Sequence, residues 1–197
     1  MCIRDSNSIA LGGRAQATET VSTAIGAFSE ATAAGSTAIG GNAVASADDA
    51  SAIGNGAEAT GTQSTAIGSA SDATGLNASA LGNFARASGI SATSIGASSD
   101  ATAENATAIG GGAQASAEIA TALGRAADAS AEGATAVGGC ADLNENGTIT
   151  IFSVVQDTEC AAASGVEATA LGSGAKAAGN NALALSLIHI SEPTRPY

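Results

Sequence analysis

The chain has 197 residues and a net charge of −12, and it is dominated by Ala (51) and Gly (26), with 2% aromatic residues and no Trp. Leu, Ile, Val and Phe together number only 32, too few to fill the core of a conventional globular enzyme of this length. The balance of 18 Asp+Glu against 6 Lys+Arg argues against nucleic acid and anionic membranes as partners, and the single His189 leaves little material for catalysis.

In chain order, residues 1–6 differ from the body of the chain. Met1 to Ser6 resemble the translation of a transposase-type sequencing adapter, and Leu185 to Tyr197 resemble the same adapter read in the other orientation. Both segments, 1–6 and 185–197, are set aside as artefacts. The only Met, His and Tyr and both Pro residues fall inside them. A reading frame cut at both ends then carries no information on signal peptides or anchors.

From residue 7 the chain repeats. A large aliphatic residue followed by Gly recurs with a 14-residue period, at Leu11, Ile25, Ile39, Ile53, Ile67, Leu81, Ile95, Ile109, Leu123 and Val137, and again at Leu171. The preceding residue is Ala in every copy except Ser94, and the one before that is usually Thr or Ser. Four and six positions after the anchor come small residues, as at Ala43 and Ala45. Each repeat reads as two short alternating segments separated by Gly-rich corners. Alternation of period two predicts strand, and recurrent Gly predicts tight turns or close backbone approach. A helix has no reason to place Gly after every anchor, and disorder does not hold a register. The fold class is therefore all-β, a solenoid of 14-residue coils with two strands of about five residues each. Stacking at about 4.8 Å per coil predicts a rod of roughly 53 Å. One aliphatic anchor per coil is a thin core. The anchors are expected either in a very compact interior or against identical columns of other chains, and oligomerisation is the preferred reading.

Five positions after the anchor stand Glu30, Glu58, Asp72, Arg86, Asp100, Asp128 and Lys176. Between two inward positions, this column should face solvent. Arg86 lies one coil from both Asp72 and Asp100, which allows a cross-coil ladder of small energetic weight.

The repeats occupy residues 7–139 and 161–184, and residues 140–160 interrupt them. Val137 and Leu171 are separated by one period plus a 20-residue insertion, and Cys140 and Cys160 fall at the same position of the repeat. Equivalent positions at the neck of an excursion predict a disulfide, the alternative being two buried free thiols. Within the insertion, Asp142, Asn144 and Asn146 followed by Gly147 resemble the start of an EF-hand-type calcium loop. Position twelve would be Ser153 rather than Glu, and no flanking helices are expected. The same residues also read as a hairpin turn at Asn146-Gly147 feeding the β-rich run Thr148 to Val155. Beyond this calcium reading the sequence suggests no cofactor.

The repeat Ser-Thr-Ala-Ile-Gly-x-x-Ala-x-Ala-x-Gly resembles the head repeats of trimeric autotransporter adhesins of the YadA-like type. The resemblance covers about Asn7 to Val137 and Ala161 to Leu185. It implies a left-handed parallel β-roll, an intertwined homotrimer, and display on the outer membrane of a Gram-negative bacterium. It also implies binding to host matrix, host cells or other bacteria without catalysis. The family's neck, stalk and membrane-anchor barrel are absent from this chain, so any anchoring would run through a missing C-terminal domain. A subgroup's collagen-associated repeat is approached by Asn7, Ser8, Ile9, Ala10, Leu11 and Gly12, but Thr23, Thr37 and Thr65 stand where that motif has Val. Two other readings compete. One is a receptor-binding segment of a phage tail fibre built on the same repeat. The other is an ice-binding solenoid, which would want a wider Thr array than the single column here.

Overall fold

The computed structural model describes residues 7–140 and 160–186 together with the backbone of Cys2–Ile3. The described residues form strands, bends and turns with no helix. The strands assemble into two 12-stranded sheets, each wholly parallel, with alternate strands of the chain going to alternate sheets. Each partner lies one period away along the chain, as in Thr65↔Ser79, Ala66↔Ala80 and Ile67↔Leu81. One sheet is built from three-residue strands such as Thr37–Ile39, the other from two-residue strands such as Val44–Ala45. The strands are thus shorter than the five residues expected, because the corners take the rest of each 14-residue rung.

The corners are nonetheless part of the ladder. In the rung that begins at Thr23, the N–H groups of Thr23, Glu30 and Thr32 donate to the carbonyls of Ser36, Ala43 and Ala45 in the next rung, at 2.9, 2.8 and 3.0 Å. In the opposite direction Gly26, Phe28 and Gly35 donate to Leu11, Gly13 and Thr20 in the preceding rung, at 2.8, 2.9 and 3.0 Å. Backbone polar groups that a turn would leave to water are therefore paired between rungs.

Two corner positions per rung are left-handed. They lie three positions after the anchor (Phe28, φ 58°; Asn42, φ 55°) and four before the next (Asp49, φ 56°; Asn77, φ 57°). The Gly after the anchor has a different constraint. Gly54 has φ +142°, and a Cβ there would collide with the carbonyl oxygen of Gly68 one rung on. Only glycine lets the two corners stack that closely.

Of the two places expected for the anchors, the interior of the single coil is taken by other residues. The interior is lined by Ala and Ser. Ala24, Ala31, Ala38, Ala45, Ala52 and their equivalents are fully buried. The anchors are not the core of the single coil. Ile53, Ile67 and Ile95 are 37–39% exposed and Leu11 is 65% exposed. Within a strand such as Thr65–Ile67 the central Ala points in while its neighbours point out. The interior is only two small side chains thick, as Ser94 Oγ and Ser99 Oγ meet across it at 2.7 Å. An Ile facing inward would not fit between sheets that close.

Cys2–Ile3 adds to the short-strand ladder beside Gln16–Ala17, and Leu185 pairs with Leu171.

Candidate interaction surfaces

The outer side of the three-residue sheet carries two parallel columns. One is Thr or Ser for most of its length (Thr23, Thr37, Ser51, Thr65), and the other is the anchor column of Ile, Leu and Val. From Ile9 to Leu185 neither column contains a charged residue. Among the described residues, this face is thus kept free of charged side chains. Exposed aliphatic residues aligned over a full sheet face make a continuous apolar strip of the kind found at protein interfaces.

The charges are gathered elsewhere. The column five positions after the anchor points outward from the two-residue sheet, with its inward neighbours Ala73 and Ala101 fully buried. Asp72, Arg86 and Asp100 are in register across three rungs. Asp72 and Asp100 each keep a buried Oδ1 without a hydrogen-bond partner. Desolvation raises the Asp72 pKa above its ordinary value, the nearby Arg86 charge opposes this, and Asp100 adds to it. Asp128 is raised for the same first reason, against a hydrogen bond from Ser130. A second group of acids, Glu104, Glu118 and Glu132, lines the corner before the next anchor on consecutive rungs. At the opposite corner Arg14 stacks on Phe28 one rung away, with its guanidinium carbon 5.5 Å from the ring centroid.

The third feature is the corner where the repeat is interrupted. Cys140 and Cys160 are joined by a disulfide and face each other as an isolated antiparallel bridge. Asp142, Asn144 and Asn146 lie outside the described residues, so the calcium-loop and hairpin readings both remain sequence expectations. Among the described residues no three His, Cys, Asp or Glu side chains gather as a metal ion would require. Among them, too, no helix is long and apolar enough to cross a membrane.

Sequence reasoning misses the left-handed corners. Their signal is present in Gly35, Gly56, Asn42, Asn77, Asn105 and Asp49, residues that tolerate positive φ. It is masked by Val21, Phe28, Phe84 and Ile119 at equivalent positions.

The family model for the YadA head domain repeat matches residues 6–29, 31–57, 45–71, 59–85, 73–99, 87–113, 101–124, 115–139 and 163–185. The matches stop and resume on either side of the insertion. No curated protein matches the chain.

Proposed function

The chain belongs to the YadA head-repeat family, and from that premise we propose that it is the head segment of a trimeric autotransporter adhesin. Three chains pack their uncharged faces together, and the charged columns and corners face outward at the surface of a Gram-negative cell. The head acts by binding, with no catalytic step, and its targets are matrix, host-cell or bacterial surfaces. The observation that supports this reading is the uncharged strip of Thr and aliphatic side chains outside an Ala-filled coil. Burying a large aliphatic side chain contributes about 1.5–3 kcal/mol, and in a single chain part of that is left unused along the anchor column, where Ile53, Ile67 and Ile95 are 37–39% exposed. A phage tail fibre built on the same repeat would present the same strip, and the domains flanking the head separate the two readings.

The test is the solution mass of the chain by light scattering, with circular dichroism on the same peak. A β-rich species of three times the chain mass is expected. A β-rich monomer would overturn the assembly. Immobilised matrix proteins and whole cells then form the binding panel, and retention on none of them would remove the adhesin reading.

A further inference from the structure

The rungs on either side of the insertion are in unbroken register. Val137 pairs with Leu171 and Asp128 with Ala162. The Gly172 N–H donates to the Val137 carbonyl at 2.7 Å, and the Glu167 N–H to the Glu132 carbonyl at 2.8 Å. The ladder proceeds as though the extra residues were absent. Cys140 and Cys160 share one corner position of the repeat, and their Cα atoms are 3.7 Å apart. That is about the 3.8 Å step between consecutive residues of a trans chain. Along the path of the solenoid, the disulfide takes the place of one peptide link.

We propose that the Cys140–Cys160 disulfide is a covalent splice, a redox-sensitive joint that closes the solenoid's path between Cys140 and Cys160 and locks residues 161–186 onto the rung before the insertion. The need for a lock follows from the stacking. Within one chain of a solenoid, each rung contacts only the rungs next to it. The last rungs therefore dock through a single rung-to-rung contact, whose inward side chains are no larger than Ala129 and Ala136 on one side and Ala163 and Ala170 on the other. With the disulfide open, their tether to that contact is the whole insertion. With it closed, the tether is a single link. Opening by a phosphine breaks the S–S bond, forms two thiols with protons from water, and oxidises the phosphine to its oxide with the water oxygen. The inference stands independently of the adhesin reading.

The test is hydrogen exchange read by mass spectrometry on the full chain, oxidised and after phosphine reduction with alkylation of the thiols. Reduction is expected to speed exchange across 161–186 by up to about 10²-fold, the scale of loop-closure entropy for roughly 20 residues. Exchange across 7–124 is expected to stay unchanged. Three results would overturn the splice: alkylation of Cys140 and Cys160 before any reductant, unchanged exchange after reduction, or equal acceleration along the whole solenoid. A second chain, with residues 141–160 deleted and Cys140→Gly, restores the 14-residue spacing from Val137 to Leu171. Under reducing conditions it should protect 161–186 as the oxidised parent does, and loss of that protection would equally count against the proposal.

Discussion

At the scale of single residues, the thin interior makes each atom of the inward side chains count. Ser99 Oγ donates to the Gly96 carbonyl at 2.9 Å, which uses its only proton, so Ser94 is the donor in the 2.7 Å bond between the two hydroxyls. Ser99→Ala would strand the buried Ser94 hydroxyl and should cost about 1–3 kcal/mol. Ser94→Ala restores the Ala found in the other rungs and should cost under about 1 kcal/mol. The double variant should recover most of the loss, which denaturant melts of all four chains would reveal. Gly54→Ala meets both a positive φ and the Gly68 carbonyl, and a loss of at least about 2 kcal/mol is expected in the same assay. Asp72 and Asp128 each contribute a pH dependence. Their folded pKa values lie above the ordinary 3.8. The folded chain therefore holds more protons than the unfolded chain just above that pH. Their contribution to stability is most favourable below about pH 3.8 and is lost as pH rises through the raised folded values. Melting temperatures of Asp72→Asn and Asp128→Asn between pH 3 and 7 should show a shallower decline than the parent across that window.

At the scale of the rung, the 14-residue unit arises because two short strands and two left-handed corners close one turn and bring every donor above its acceptor. Removing residues 54–67 joins Ile53 to Gly68 in register, and the shortened chain should keep its β spectrum with a modest fall in melting temperature. Removing 54–66 leaves one rung a residue too long, which faces side chains the wrong way or breaks the ladder at that point. The melting temperature should then fall well below that of the in-register deletion, or the melt should split in two.

At the scale of the whole molecule, the distribution of charge separates a charged side of the coil from an uncharged one. Among the described residues, acids and bases occupy the two-residue sheet and the corners, and the outer side of the three-residue sheet presents Thr, Ser and aliphatic residues alone. Placing Asp at Ile67 and Ile95, both on that exposed strip, leaves the Ala interior untouched. The substituted chain should keep the β signal of a coil but lose two-thirds of the parent's mass in light scattering, because carboxylates would be buried unpaired in the assembly. An unchanged mass would remove the anchor column from the interface.

The period is legible in the residues alone. An aliphatic-Gly pair in fixed register, alternating small residues and recurrent Gly leave a 14-residue parallel β-solenoid as the only regular structure that uses all three. The outward direction of the charged column and the equivalence of Cys140 and Cys160 follow from the same count. Which side of the three-residue strand is the inside depends instead on how closely the two sheets approach. Alternation states only that Ala66 opposes Thr65 and Ile67. Hydrophobicity would turn Ile67 inward, yet the narrow interior, filled by Ala and Ser from both sides, admits Ala66 and excludes Ile67. The corners show the same division. Gly54 reads as a turn residue from its place in the repeat, but its closeness to Gly68 exists only once the rungs are stacked.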